Sequence, residues 1–573
     1  MFSIQPPQTD SMYTRDGVRL DADVYRPNAE GPFPVLLMRQ PYGRAIASTI
    51  VYAHPCWYAA HGYIVVIQDV RGRGSSEGTF TLFENEVADG EDTLKWAAEL
   101  PGCDGQIGMY GFSYQGMTQL YAAQTGIEAL KAIAPAMTGY HPYADWAYEN
   151  GAFCLQLGLT WALQLAAESA RIAGDIETYQ QLVTAAHQPP MTDTYPAYPD
   201  IFRSVASKHI ESFFPSWVTN DSASDYWQKI TPQLQAVDLP MLHIGGWYDP
   251  YLRGDMRLYQ EMTARSCYPH PLCIGPWGHI PWGRKVGQMD FGPAAASPID
   301  RRQIEWFDHI LKGKSLPSET KAVTLFEMGP NQWSHWDSWP ATVEKHYCLE
   351  SSGLANIRED SGKLIEVSAE VSAEVSARAE QLGHAPKAQV DRLVHDPWNP
   401  VPALGGHSSI PAGVFERTAI DTRGDVLTYT SAPMSHDIHV LGVAEVVCAI
   451  APSTPSYDLC AVLSRVSNGQ VYNLTQGYKR VDRATPTETD RVTIALHPTC
   501  FGLKPGEALR LSLSAACFPA YPVNVGTGAP AHESRLIDAQ IITIAIALDK
   551  ASGTVLKLPL QQSSAQSSGE SRD

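Results

Sequence analysis

Short apolar segments alternate with segments of helical periodicity in the first quarter of the chain. Each apolar segment is bounded by Gly or Pro, as buried parallel strands often are. The apolar segments are PVLLMR (34–39), YIVVIQDV (63–70), IGMYG (107–111) and LKAIAPAM (130–137), and the helical ones are VADGEDTLKWAAEL (87–100) and MTQLYAAQTGI (117–127). This alternation predicts an α/β domain with a parallel sheet covered on both faces.

The pattern changes after Tyr140, where roughly a hundred residues are rich in helix formers and hold no clear strand, as in 155–174. The strand pattern resumes with PMLHIGGWYD (240–249) and PLCIGPWGH (271–279). We therefore predict a helical insertion into the α/β domain. Insertions of this kind usually cap an active site.

From about Lys321 onward, short strands with turn signals follow one another, beginning with AVTLFEMG. This spacing is typical of a β-sandwich or jelly roll. The boundary is expected near the linker GKSLPSETK (313–321). The predicted organisation is an α/β domain at 1–139 and 239–315, a helical cap at 140–238, a jelly-roll domain at 316–560 and a disordered tail at 561–573.

One segment of low complexity, VSAEVSAEVSAR (367–378), repeats a tetrapeptide. It is compatible with a solvated helix, an elongated hairpin or a flexible insertion.

Charge and composition exclude several classes of protein. A formal net charge of −19 argues against a nucleic-acid partner, and no polybasic patch indicates a membrane surface. The N-terminal segment lacks the features of a signal peptide, so a cytoplasmic protein is expected. The 10 cysteines form neither a C-x-x-C pair nor a cluster at metal-ligand spacing, so no metal is implied.

Two serines compete for the role of nucleophile. Ser76, in Gly74-Ser75-Ser76-Glu77-Gly78, fits the usual G-x-S-x-G spelling, whereas GFSYQG around Ser113 has its second glycine one place late. A nucleophile elbow requires a strand before the serine and a helix after it. Ser113 has both, while Ser76 lies six residues beyond its strand and precedes no helix. Context therefore favours Ser113.

Asp249 and His279 complete a candidate triad. Each follows a predicted strand, and with Ser113 they appear in the order Ser, Asp, His that an α/β-hydrolase requires. Taken singly, Asp249 reads as a turn residue and His279 as a structural histidine. Their assignment to the triad therefore rests on the order and the strand-end positions of the two residues together.

Five motifs together resemble those of one family. The motifs are GMYGFSYQG, GGWYDPY, GPWGH, RQPYGR and VVIQDVRGRGSSEGTF. They are similar to the X-Pro dipeptidyl-peptidase-like branch of the α/β-hydrolases, the group that includes bacterial cocaine esterase. In that family the elbow is spelled with the late glycine. The resemblance implies an α/β-hydrolase fold with an inserted helical cap and a C-terminal β jelly-roll domain.

The resemblance also implies a set of catalytic roles. Ser113 would be the nucleophile, His279 the general base and then acid, and Asp249 the group that orients the imidazole. The oxyanion hole would combine the backbone N–H of Tyr114 with the hydroxyl of Tyr42, although Tyr42 taken alone reads as a packed loop aromatic.

Trp146 and Trp161 stand near the places where the cocaine-hydrolysing member carries pocket tryptophans, and they are equally compatible with the core of the cap. If they line the pocket, an aryl or bulky acyl group is favoured by stacking. Relatives that bind a substrate ammonium carry carboxylates just after the triad aspartate. Here Pro250, Tyr251 and Leu252 follow Asp249.

The expected function is hydrolysis of an uncharged carboxylic ester through an acyl-enzyme. Amide hydrolysis, as by an amidase or acylase, and Xaa-Pro dipeptidyl-peptidase activity stay open as alternatives. A non-catalytic carbohydrate-binding protein is disfavoured by the complete triad. A dinucleotide site fails because Glu77 replaces the third glycine of G-x-G-x-x-G. The sequence implies no organic cofactor and indicates a small-molecule ester or amide as partner, with homodimerisation left open.

Overall fold

The computed structural model describes most of the chain. The tetrapeptide repeat lies mostly, and the C-terminal tail almost entirely, outside the described residues, so the predictions for them are not addressed. The residues left out are 46–48, 189–201, 203–209, 211, 223, 319, 369–388, 484–489, 549–552 and 563–573.

The first part of the chain forms strands and helices close to the predicted positions. Strand β4 is fully buried along its length, as expected for a strand covered on both faces. The strands are β1 (Gln8–Tyr13), β2 (Arg19–Tyr25), β3 (Phe33–Gln40), β4 (Ile64–Asp69), β5 (Cys103–Phe112) and β6 (Leu130–Ala136), and the helices are α1 (Pro55–Ala60), α2 (Glu86–Ala98) and α3 (Tyr114–Ala123).

The following segment is helical apart from one hairpin of two-residue strands. It opens with a short π-helix at Pro142–Ala147. Its strands are β7 (Tyr148–Glu149) and β8 (Ala152–Phe153), and its helices are α4 (Leu155–Ile172), α5 (Ile176–His187), α6 (Phe214–Thr219) and α7 (Asp225–Lys229).

The α/β pattern then resumes. The described elements of this part are β9 (His243–Tyr248), α8 (Leu252–Arg265), β10 (Leu272–Gly278), β11 (Lys285–Val286), β12 (Met289–Asp290), α9 (Ile299–Lys312), β13 (Val323–Glu327) and β14 (Gln332–Trp336).

Ten strands of the described chain form one sheet in the order β1-β2-β4-β3-β5-β6-β9-β10-β13-β14. Neighbours from β4 to β13 are parallel, and β1, β2 and β14 pair antiparallel at the two edges. Successive side chains of a strand point alternately into two hydrophobic cores, one on each face of the sheet. Leu37 packs with Leu120 of α3 on one face, while Leu36 packs with Phe307 of α9 on the other.

The rest of the chain is a second, mostly antiparallel sheet system. In the described residues it comprises 13 strands, with one short helix, α10 (Thr418–Asp421). The strands are β15 (Thr342–Glu350), β16 (Lys363–Val367), β17 (Val390–His395), β18 (Leu427–Ser431), β19 (Ile438–Gly442), β20 (Glu445–Pro452), β21 (Ser456–Ser467), β22 (Gln470–Asp482), β23 (Asp490–Ala495), β24 (Thr499–Leu503), β25 (Ala508–Ser514), β26 (Ile542–Ala547) and β27 (Val555–Gln561).

This architecture confirms the predicted fold class, an α/β-hydrolase with an inserted helical region and a C-terminal jelly-roll-like domain. One strand was assigned to the wrong sheet. AVTLFEMG, expected in the jelly roll, forms β13, which pairs in parallel with β10. The α/β sheet therefore continues past residue 315. Periodicity gives a strand's buried face but not its neighbours, so it could not reveal this pairing.

Candidate active site

Ser113 occupies the sharp turn between β5 and α3. It has φ of 61° and ψ of −126°, a strained conformation for a residue with a side chain. The strain is held by two carbonyls at the end of β6, because the Ser113 N–H donates to Ala136 O at 3.0 Å and to Met137 O at 3.2 Å. This is the geometry of a nucleophile elbow, in which the serine oxygen stands at the carboxyl edge of the sheet.

Two glycines make this turn sterically feasible. Gly111 has φ of 138°, and a Cβ there would lie 2.5 Å from Cβ of Gln115. A Cβ on Gly116 would lie 2.7 Å from Cβ of Thr138, because the first turn of α3 packs directly on the chain leaving β6. The late glycine is therefore required by the close approach of helix and strand.

Ser76, the other candidate nucleophile, makes hydrogen bonds to the backbone of a loop. Its hydroxyl donates to Asp69 O at 2.8 Å and accepts from the N–H of Asp21 at 2.9 Å. Both bonds are buried, so the side chain fixes the turn after β4.

Asp249 and His279 are directly hydrogen-bonded. His279 Nδ1 lies 2.5 Å from Asp249 Oδ2, and Asp249 is fully buried. The other carboxylate oxygen, Oδ1, accepts from Tyr251 N–H at 2.8 Å. The imidazole contacts the rings of Phe112 and Tyr251, with centroids at 5.3 and 5.1 Å. Because Phe112 immediately precedes Ser113, the bonded His279–Asp249 pair lies beside the turn that carries Ser113.

The Tyr42 hydroxyl lies against the elbow. It lies near the side chain of Ser113, which favours its ionised form, and it accepts from Trp161 Nε1–H at 3.1 Å. Burial raises the pKa of Tyr42 to about 12, so the hydroxyl stays protonated at neutral pH. A protonated oxygen that accepts from the indole keeps its own proton for donation toward Ser113.

Tyr114 is the first residue of α3, so its N–H has no intrahelical acceptor. Its side chain is fully buried and donates to Glu86 Oε1 at 2.6 Å. Glu86 in turn accepts from Arg39 Nη1 at 2.7 Å. These contacts anchor the side chain beneath the turn and hold the start of α3 in place.

Trp146 and Trp161 lie together in an aromatic wall beside Tyr42. The two indoles stack with centroids 5.2 Å apart, and Trp146 also contacts Tyr251 at 4.4 Å and Phe83 at 5.6 Å. Trp146 is 4% exposed, whereas Trp161 is only partly buried. Trp146 therefore lies in the interior of this aromatic wall, and Trp161 is the more exposed of the two indoles.

Two charged residues near the elbow escaped the sequence analysis. Arg73 is 1% exposed, donates from Nη1 to Leu165 O on α4 at 3.0 Å and lies 3.8 Å over the ring of Phe80. Burial lowers its pKa to about 10. Its only sequence signal was a Gly-rich loop, which gives no indication that the guanidinium is buried against the cap.

Asp255, on α8, accepts from Thr138 N–H at 2.9 Å below the elbow. Burial, followed by the charge of Asp249, holds the pKa of Asp255 well above its usual range, which favours the protonated acid.

Among the helices of the described residues, none combines the length and the apolar composition needed to span a bilayer.

Two family models together match most of the chain. A family model of the X-Pro dipeptidyl-peptidase (S15 family) matches residues 16–281, and one of the X-Pro dipeptidyl-peptidase C-terminal non-catalytic domain matches residues 318–553. The chain is 31% identical to cocaine esterase of Rhodococcus sp. (strain MB1 Bresler) over 544 residues, which are 90% of this chain and 91% of the relative.

Two solved structures share the fold over nearly the full length. An aminopeptidase from a marine sediment archaeon (Thaumarchaeota archaeon) superposes with a TM-score of 0.79 at 20% identity, covering 98% of this chain and 97% of that one. An α-amino acid ester hydrolase superposes with a TM-score of 0.75 at 20% identity, with the same coverage of 98% and 97%. The matches in sequence establish the family, and this protein is a serine hydrolase that belongs to the X-Pro dipeptidyl-peptidase (S15) family.

Proposed function

We propose that the protein hydrolyses carboxylic esters with an uncharged, aryl or bulky acyl group through an acyl-enzyme on Ser113. The observation that carries this proposal is the convergence of the strained Ser113 turn, the Tyr42 hydroxyl and the bonded His279–Asp249 pair. Serine attack, proton transfer and oxyanion stabilisation each have a group in place.

In the proposed reaction, Ser113 Oγ attacks the ester carbonyl and gives its proton to His279 Nε2, because Nδ1 is bound to Asp249. The tetrahedral oxyanion accepts from the Tyr42 O–H and the Tyr114 N–H. Collapse breaks the bond to the alcohol, which leaves with the proton from His279. A water then attacks the acyl-enzyme with His279 as base, and the carboxylic acid is released.

The preference for an uncharged acyl group is supported by the carboxylates around the site. Four of those that the structure describes already have an arginine partner, which a substrate ammonium would have to displace. The ion pairs are Glu86 with Arg39 at 2.7 Å, Asp145 with Arg257 at 2.9 Å, Glu149 with Arg253 at 2.7 Å and Glu168 with Arg171 at 2.7 Å. The aromatic wall with Trp161 offers a stacking surface to an aryl group instead.

A panel of substrates tests the proposal. We expect p-nitrophenyl phenylacetate and p-nitrophenyl benzoate to give a kcat/KM at least about tenfold above that of a p-nitrophenyl aminoacyl ester, since each 1.4 kcal/mol of differential transition-state binding gives a factor of ten. Xaa-Pro p-nitroanilides report the peptidase activity of the same scaffold. If they are cleaved faster than the aryl esters, the proposed substrate class is wrong.

Tyr42→Phe is expected to lower kcat by about a hundred- to a thousandfold, because it removes one oxyanion donor and leaves the ring in place. Steady-state kinetics on the preferred ester, with a thermal melt for folding, measure the effect. Tyr52→Phe is the matched control, since the Tyr52 hydroxyl is buried without a hydrogen-bond partner among the described residues. A Tyr42→Phe enzyme as active as Tyr52→Phe would remove Tyr42 from the mechanism.

A further inference from the structure

A cavity of about 890 Å³ lies at the edge of the α/β sheet opposite to Ser113. Ser113 follows the carboxyl end of a parallel strand, whereas this cavity surrounds the amino ends of β10 and β13, at Leu272 and near Thr324. Its other walls come from the first half of α9 and from the loops that precede β10 and β13. It is therefore separate from the candidate active site.

The charges that line the cavity do not balance. Arg301 pairs with Glu305 at 3.0 Å, and Lys321 pairs with Asp337 at 2.8 Å. Arg302 also lines the cavity and is partly buried, and within the described ranges no carboxylate lies within ion-pair distance of it. Among the described residues that line the cavity, the guanidinium of Arg302 is therefore available to bind an anion.

The charge of Arg302 acts on other groups of the same wall. Burial, followed by Arg302, lowers the pKa of His335, and burial raises the pKa of Cys273 to about 11 against the opposing effect of Arg302. Both residues line the cavity. The wall around Arg302 is therefore electropositive.

Aromatic and polar groups complete the lining. Tyr259, Tyr268 and Trp306 contribute rings, and prolines contribute apolar surface. Trp306 Nε1 and His270 Nε2 are buried and have no hydrogen-bond partner in the described part of the chain. Because these two atoms are enclosed by protein, the rings and prolines supply the contact surface of this wall.

We infer that this cavity is a second binding site, for a small monocarboxylate with an aromatic body. The fork of Arg302 matches a carboxylate in a two-bond geometry, and a single uncompensated cation suits one negative charge. The rings and prolines suit the apolar part of the ligand, as in most small-molecule sites. The inference is independent of the reaction proposed for Ser113.

Calorimetric titration with phenylacetate, and with phenylacetamide as its uncharged counterpart, tests the inference. Wild-type protein should bind phenylacetate at least about tenfold more tightly than phenylacetamide, because the guanidinium bonds more strongly to a charged carboxylate than to a neutral amide. Arg302→Gln should lose at least about tenfold in affinity for phenylacetate on the same basis. Arg302→Lys, which keeps the charge but not the fork, should lie between wild type and Arg302→Gln.

Arg301→Gln is the matched control, because Arg301 is the neighbouring arginine and is already paired with Glu305. It should bind phenylacetate as wild type does. Hydrogen exchange on the wild-type protein locates the site without any variant, and phenylacetate should protect residues 298–306 and 268–273. Equal loss in the two glutamine variants, protection confined to residues 108–120, or no binding at millimolar phenylacetate would each overturn the inference.

Discussion

Ser113→Ala is expected to lower kcat by about a millionfold, the effect of losing the nucleophile of a serine triad. The loss is large because His279 then has no serine hydroxyl to deprotonate. Tyr42 and Tyr114 stabilise an oxyanion that forms only after the serine attacks, so they cannot compensate for its loss. The measurements are kcat on an aryl ester and covalent labelling by a fluorophosphonate probe. Labelling should be complete in the wild type and absent in the variant.

Ser76→Ala provides the control, since Ser76 is the serine that fits the usual spelling. Its hydroxyl makes two buried hydrogen bonds to the backbone. The variant should therefore keep its labelling and lose about 1–3 kcal/mol of unfolding free energy. Labelling that survives in Ser113→Ala and disappears in Ser76→Ala would reverse the assignment.

Asp249→Asn is expected to lower kcat by about ten thousandfold, with folding largely retained. The carboxylate fixes the imidazole through the 2.5 Å contact with Nδ1, and it stabilises the imidazolium that forms when Ser113 loses its proton. An amide keeps the shape but lacks the charge, and it can hold the wrong tautomer of His279. Single-turnover kinetics would show the loss in the acylation step.

Asp255→Asn is the control for this second change. Asp255 is also buried, stands six positions further along the chain and accepts a hydrogen bond through one oxygen. Because its raised pKa favours the protonated acid, an amide resembles that form in charge and keeps the oxygen that accepts the hydrogen bond. We expect kcat close to that of the wild type. Equal losses in the two variants would mean that Asp249 acts only as a buried structural acid.

The candidate triad could be proposed from the sequence because its requirements are local. A strand before Ser113, a helix after it and an acid and a base at later strand ends are all visible as short patterns in the sequence. The reason for Gly116 was not visible, since it depends on Thr138, which reaches α3 only after another strand has been added to the sheet. The family resemblance accounted for the position of Gly116, and the structure gives the physical reason for it.

Contacts between distant segments limited the rest of the prediction. In the sequence Trp161 is compatible with core or pocket, and its hydrogen bond to Tyr42, 119 positions away, is not visible there. Arg73 was read as part of a loop because its partner, the carbonyl of Leu165, belongs to the inserted helices. Asp255 belongs to no motif, and its raised pKa arises from burial, followed by the charge of Asp249.

The position of β13 and β14 has a consequence for how the protein can be divided. In the sequence, GKSLPSETK resembles a linker between two domains. The two strands that follow it, however, are hydrogen-bonded into the α/β sheet. Glu149, in the inserted region, also accepts hydrogen bonds from His407 and Tyr521 of the C-terminal domain. A protease that nicked the linker would leave two fragments still joined by a shared sheet and a shared carboxylate. The modular appearance of the sequence therefore does not make the parts separable.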